Sequence, residues 1–253
     1  MHVSINGLSK RIGFRNILSD VTISMEGGSV VTLLGANGTG KTTLLRLLGC
    51  IYTPTKGDIR FDGELLQRRR LDLRRRFMLI ADLVSNPMPT TVVQYLIYVG
   101  ALYGRSEDEI RSRAVELLEK WSLIPHSWNW VAYLSRGQAY KLQMACMELC
   151  DPELWLLDEP FASGMDPSGL FQLRQAIADA RRRGRIILFT TQLAELACSI
   201  SDRLIVLHKT RVSLDGSVAD VLWASKRHPD PELRTLLRSV SESSHGGESD
   251  FSL

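Results

Sequence analysis

Eight residues carry the densest chemistry in the chain: Gly35-Ala36-Asn37-Gly38-Thr39-Gly40-Lys41-Thr42. They fit the pattern G-x-x-x-x-G-K-[ST], whose glycines let the backbone wrap so that successive N–H groups face an anion. A helix opening directly after the loop adds its N-terminal N–H groups and its dipole to the same cradle. Lys41 is then placed to reach the outer phosphates of a nucleotide, and Thr42 to offer a hydroxyl to Mg2+. Gly35, Gly38 and Gly40 supply the freedom to wrap, Asn37 and Thr39 contribute backbone, and Thr43 continues the cradle into the helix.

A second motif lies far downstream. Leu154-Trp155-Leu156-Leu157-Asp158-Glu159-Pro160 has the composition of a buried strand and ends in two acids. Parallel sheets hold nucleotides at the carboxyl ends of their strands, which is where these carboxylates would be delivered. By itself the acid pair is a weak sign, a capping pair before a helix being the plain alternative. Downstream of a phosphate loop, Asp158 is suited to hold Mg2+ through water and Glu159 to polarise an attacking water.

Both motifs need a scaffold, and the hydrophobic pattern supplies one. Apolar β-like runs alternate with helical runs: Val30 to Leu34 then Lys41 to Cys50, Leu154 to Leu157 then Pro167 to Arg183, Ile186 to Thr190 then Leu193 to Ser199. Strand, crossover helix, strand predicts a parallel sheet covered on both faces. Residues 88–150 break this rhythm with successive amphipathic helices and no strand between them: Val92 to Tyr103, Glu107 to Trp121 and Gln138 to Cys150. They read as a helical insertion. Near the C-terminus a short helical pattern, Pro231 to Val240, precedes a Ser-, Gly- and acid-rich stretch whose last dozen residues are expected to be a disordered tail.

Composition excludes several classes. The chain has 253 residues, 44% hydrophobic and 23% charged, enough to bury a core and too apolar for global disorder. A net charge of +3 is too small an excess to argue for nucleic acid, and none is expected as a partner. The most apolar stretch, Val92 to Tyr103, contains Gln94 and Gly100 and falls short of the roughly 18 residues that span a bilayer. The N-terminus lacks a basic segment followed by an apolar run, so no secretory signal is read and a cytoplasmic location is expected. Cys50, Cys146, Cys150 and Cys198 lack the spacing of a zinc site and read as buried free thiols.

Leu134-Ser135-Arg136-Gly137-Gln138, at the start of a helix shortly before the acid pair, completes a set of motifs. In order and spacing the three resemble the ATP-binding subunits of ABC transporters, from about Val3 to Val221. The resemblance implies an α/β fold of the P-loop NTPase type: a RecA-like parallel core, a small antiparallel β subdomain at residues 1–30 and 57–63, and a helical subdomain at about 83–150. The nucleotide-binding domain would occupy residues 1–225, with the short helix and tail at 226–253. It further implies ATP and Mg2+ as cofactors, with two subunits sandwiching ATP. Ser135, Gly137 and Gln138 would then cap the γ-phosphate held by the opposite subunit. Asp166, in Ser163-Gly164-Met165-Asp166-Pro167, matches the loop that lies at the dimer seam.

Three positions depart from the family pattern. Where the family carries a Gln that touches Mg2+, this chain has Asp82. A carboxylate binds Mg2+ but adds negative charge beside the γ-phosphate. Where a His contacts the γ-phosphate, this chain has Gln192, which can donate a hydrogen bond but cannot carry a proton near neutral pH. The aromatic residue that stacks on adenine aligns with Ile12, and Phe14 stands two residues on. Glu159 is intact.

The resemblance therefore implies an ATP-hydrolysing, energy-coupling subunit at the cytoplasmic face of the membrane. It would work as a homo- or heterodimer with separate permease chains, and the chain length resembles that of simple exporter subunits. A degenerate ATP-binding regulatory subunit with little turnover, or a soluble assembly-type ATPase, is the alternative. Six arginines in Gln67 to Arg76 read first as a solvated face, with anionic partners as the alternative. Trp121, Trp128 and Trp130 fit either a docking groove or core packing. His126, His208 and His228 have no partners at ligand spacing and read as ordinary.

Overall fold

The computed structural model describes residues 1–81 and 89–243, with side chains to residue 237. Among the described residues the chain forms two sheets. The first is antiparallel, ordered β2-β1-β4-β5 from β1 (His2–Ile12), β2 (Arg15–Glu26), β4 (Lys56–Phe61) and β5 (Glu64–Leu65). The second is ordered β10-β9-β3-β8-β7-β6, from β3 (Val30–Leu34), β6 (Phe77–Ile80), β7 (Leu154–Leu157), β8 (Ile186–Thr191), β9 (Arg203–His208) and β10 (Arg211–Ser217). Its strands run parallel except for β10, an antiparallel edge on β9. The alternation of strand and helix did not announce that edge, because β9 and β10 meet in a hairpin with no helix between them.

The helices are α1 (Lys41–Leu48), α2 (Leu71–Arg74), α3 (Val92–Leu102), α4 (Glu107–Lys120), α5 (Arg136–Cys150), α6 (Pro167–Arg182), α7 (Ala194–Ile200), α8 (Val218–Lys226) and α9 (Pro231–Ser243). Helix α5 begins two residues earlier than its apolar pattern suggests. The reason is its cap: Ser135 Oγ accepts from Gln138 N while the Gln138 side chain accepts from Ser135 N, so the first turn closes on polar residues.

Period-two alternation divides the parallel sheet between two cores. Trp155, Leu157, Ile187 and Phe189 point into the cluster shared with α3 to α6, and Leu154, Leu156, Ile186 and Leu188 into the cluster shared with α1 and the antiparallel sheet. All eight are buried, as strands covered on both faces require. A third cluster joins Leu34, Val206 and Val221 to Leu233 and Leu237 of α9, so the C-terminal helix packs on the sheet.

Trp121 belongs to the first core, 1% exposed, with its indole N–H donating to Glu148 at 2.8 Å. Trp128 is 77% and Trp130 47% exposed, so the three tryptophans do not act together. Two arginines of the run are tied to acids: Arg70 to Glu64 and Asp72, Arg76 to Asp62 and Glu153. All four cysteines are free, Cys146 and Cys150 buried and Cys50 and Cys198 half-buried. His208 is less ordinary than its sequence spacing suggests, because the fold brings Asp230 and Glu232 to it across the β9–α9 contact. Residues 244–253, most of the expected tail, lie outside the described residues, and no described helix is long and apolar enough to cross a membrane.

Candidate functional site

The phosphate loop leaves β3, a fully buried strand, and enters α1. Its glycines answer to specific crowding. A Cβ on Gly35 would lie 2.6 Å from Leu207 O, and one on Gly40 2.7 Å from the Leu18 side chain and 2.9 Å from Ile17 O. Gly38 and Gly40 also have φ values of 79 and 107, in the left-handed region that favours glycine. The antiparallel sheet thus presses on the loop through β2 and sets its shape. Thr39 braces the turn, its hydroxyl donating to Ala36 O at 2.9 Å.

Lys41 is buried, and its ammonium donates to Gly35 O at 2.8 Å and Ala36 O at 3.2 Å. The same Nζ lies 3.5 Å from Glu159 Oε1. The cation therefore rests against the loop carbonyls and the candidate base. A cavity of about 310 Å³ opens over the loop, lined by Asn37, Gly38, Lys41, Thr42 and Thr43 with Glu159 at its edge.

At the end of β7, Asp158 Oδ1 accepts hydrogen bonds from Thr42 Oγ1 at 3.2 Å and Thr190 Oγ1 at 2.7 Å. Thr190 Oγ1 in turn accepts from Glu159 N at 2.8 Å. Glu159 itself adopts φ 44 and ψ 51, a left-handed conformation uncommon outside glycine and Asn that turns the chain sharply after Asp158. The two acids consequently diverge, Asp158 toward Thr42 and Glu159 toward Lys41.

The Ser135 region is built differently. Ser135 and Gln138 complete the cap of α5, and Gln138 Nε2 lies 2.9 Å from His126 Nε2. Gly137 packs against the following loop so closely that a Cβ there would lie 2.4 Å from Gly164 O. Asp166 caps α6 through Gly169 N at 2.8 Å and pairs with Lys141 at 2.9 Å. The Lys141 ammonium and the Gly169 N–H together hold its carboxyl below the usual carboxylate range.

Among the adenine candidates, Ile12 is 48% and Phe14 96% exposed on the β1–β2 hairpin. The cavity over the loop is lined instead by Ile17, which sequence reasoning did not single out. Gln192 follows the last residue of β8 and is exposed. Asp82 lies outside the described residues. Thr190 was also missed, and its only signal is a hydroxyl in the apolar run Ile186–Thr191.

The ABC transporter family model matches residues 18–162, more than half of the chain and inclusive of both the phosphate loop and the acid pair. The chain belongs to the ABC transporter family, as an ATP-binding subunit. It is similar to the doxorubicin resistance ATP-binding protein DrrA of Mycobacterium tuberculosis, 31% identical over 87% of this chain and 67% of that one. It is also similar to the methionine import ATP-binding protein MetN of Caulobacter vibrioides, 32% identical over 81% of this chain and 63% of that one. A solved ATP-binding subunit of an ABC transporter superposes with a TM-score of 0.85 at 28% identity, covering 94% of this chain and all of its own. The fold is accordingly that of a P-loop NTPase.

Subunits of this family bind ATP, with Mg2+. The residues here fit both. Gly35 and Gly40 let the loop pack tightly on Leu207, Ile17 and Leu18, a cavity opens over it, and Lys41 supplies the charge. Thr42 Oγ1 and Asp158 Oδ1 are hard oxygen donors 3.2 Å apart, the ligand type that Mg2+ prefers.

Proposed function

We propose that this ATP-binding subunit hydrolyses ATP to drive export, closing as a dimer beneath separate membrane permease chains at the cytoplasmic face of the membrane. The observation that carries the hydrolytic reading is the approach of Glu159 Oε1 to within 3.5 Å of Lys41 Nζ. A carboxylate beside the lysine that would meet the outer phosphate suits a group that orients water. Lys41 holds the outer phosphates, and Gly35, Gly38, Gly40, Thr42 and Thr43 line their cradle. Thr42 and Asp158, with Asp82, hold Mg2+, which when bound neutralises charge developing on the phosphates. Glu159 orients the attacking water, and the exposed Gln192 donates a hydrogen bond to the γ-phosphate. Ile12 and Phe14 flank the adenine.

Ser135, Gly137 and Gln138 stand at the N-terminus of α5, where free N–H groups and the helix dipole favour a phosphate presented by a second subunit. Asp166, which caps α6 and pairs with Lys141 of α5, belongs to the same seam under this reading. Residues 1–225 are the nucleotide-binding unit, and the helices within 83–150 face the permease. Export is favoured by the likeness to a protein named for drug resistance, and the equal likeness to one named for import makes direction the quantity to measure.

The test is steady-state ATP turnover of the chain purified from its own membranes with its co-purifying proteins, beside the Glu159→Gln form. Turnover lost in the Gln form, with an integral membrane protein present, supports the motor. Tight ATP retention with negligible turnover in both forms supports the second reading, a regulatory subunit, which Gln192 favours because it lacks the imidazole. Under that reading Gln192→His raises turnover.

A further inference from the structure

Both ends of the Gln138 carboxamide are engaged at the start of α5. Its Oε1 accepts from Ser135 N at 2.9 Å, closing the reciprocal cap in which Ser135 Oγ accepts from Gln138 N at 3.2 Å. The other end is therefore the NH2 group, and it lies 2.9 Å from His126 Nε2, twelve residues back in the chain. An amide NH2 only donates, so Nε2 must carry a lone pair and the ring proton must sit on Nδ1. Asn129 Nδ2 stands 3.2 Å from that Nδ1, and a half-turn of the exposed Asn129 carboxamide offers its oxygen to the ring proton. A neutral ring also suits the place, since a cation there would face the Gln138 NH2 and the positive end of the α5 dipole.

The imidazole is itself held from behind. His126 N donates to Leu123 O at 2.9 Å, and Leu123 is fully buried in the core of the helical insertion. The residues that follow His126 are stitched to the start of α3. Val93 N donates to Ser127 O and Val92 N to Asn129 O, each at 3.1 Å, and Val131 N donates to Thr90 O at 2.9 Å. Half-buried His126 thus has an anchored backbone on one side and a lone pair turned toward α5 on the other. Without that acceptor the Gln138 carboxamide would keep its bond to Ser135 N alone, and the torsional freedom of a long side chain would compete with the cap.

We propose that His126 is a positioning residue for the ATP site shared between two subunits: its Nε2 lone pair fixes the Gln138 carboxamide, and through it the Ser135–Gln138 cap that α5 presents to the nucleotide of the other subunit. The effect on that shared site rests on the dimer reading, whereas the hold on the cap rests on the geometry of this chain alone. His126 also ties the start of α5 to the start of α3, because the segment that carries it accepts the first N–H groups of that helix.

The nitrogen-15 spectrum of the histidine rings in the full chain reads the tautomer directly. His126 should show a protonated Nδ1 and a bare Nε2, and the opposite tautomer overturns the proposal. His126→Leu should lower the hydrogen-exchange protection of the Ser135 amide about threefold to tenfold, the equivalent of one neutral hydrogen bond. His126→Gln, whose Oε1 can accept in place of Nε2, should restore it. In chains that also carry Glu159→Gln, His126→Leu should weaken ATP-driven dimerisation by about the same factor and His126→Gln recover it, while ATP binding to the single chain keeps its parent affinity. Unchanged Ser135 protection in the Leu form would show that the cap needs no such hold. Equal loss in the Leu and Gln forms would show that the bulk of the ring acts, not its lone pair, and either result overturns the proposal. If the Glu159→Gln chain does not dimerise with ATP at all, the dimer reading fails, and the tautomer and the Ser135 amide still decide whether His126 holds the cap.

Discussion

Thr190 Oγ1 donates to Asp158 Oδ1 at 2.7 Å and accepts from Glu159 N at 2.8 Å, so one side chain on β8 fixes both acids at the end of β7. Without it Asp158 would be aimed by Thr42 alone, through a longer bond of 3.2 Å. Thr190→Val keeps the shape and removes both bonds. The Mg2+ concentration that half-supports nucleotide binding should rise about tenfold, with a stability loss of about 1–3 kcal/mol. Thr190→Ser should restore both. An unchanged Mg2+ titration in the Val form would show that Asp158 needs no such guide.

Lys41 is the charge at the centre of the phosphate cradle. Truncating a buried charge that pairs with its ligand costs several kcal/mol, so Lys41→Ala should weaken ATP by about a hundredfold or more. A fluorescent nucleotide titration reads this, with the melting temperature as a control for folding. Equal affinity in the two forms would mean that the loop N–H groups suffice and that Lys41 serves Glu159 instead.

Gly137 touches the loop that carries Asp166. The added Cβ of Gly137→Ala would sit 2.4 Å from Gly164 O, a backbone atom that cannot swing aside. Overpacking of this kind costs about 1–3 kcal/mol, or several degrees in melting temperature for a chain of this size. A melting temperature within a degree of the parent would show that the α5–α6 junction yields easily.

Asp151 ends α5 and meets Arg185 at 2.7 Å and Arg183 at 3.1 Å. Burial raises its carboxyl, but the two guanidiniums outweigh burial and hold it below the usual carboxylate range. A depressed native value means that the pair's stabilisation is complete above the unfolded carboxylate value of about 4 and is lost as pH falls through the native one. Asp151→Asn keeps a residue that tolerates φ 41. Its urea midpoint should drop at pH 7, and the gap should be narrower at pH 3. A gap of the same size at both pH values would show that the effect is packing, not charge.

Much of this architecture was legible in advance where the signal is local. β3 and β7 have the bounds that their apolar runs predict, because a strand buried on both faces must be apolar throughout. The helices of the insertion follow their apolar periodicity to within two residues, and the start of α5 shifted only because its cap is polar. Edge β10 was not legible, since half-exposed strands carry mixed composition.

The sequence by itself determined the chemistry of the cradle. Gly35 to Thr42 and Asp158 with Glu159 are contiguous runs whose strand and helix neighbours impose their geometry, so residue type and spacing were enough. Tertiary structure decided everything that depends on residues distant in the chain. Only the pairing of β7 with β8 sets Thr190 beside Asp158, and only the packing of β2 under the loop makes Ile17 and Leu18 its floor. Only the seating of α5 beside the acid pair brings Arg136 and Tyr140 to one cavity with Asp158 and Glu159. Each contact is made across the folded core, where side chains meet by shape and burial, and no local period in the sequence records which ones will.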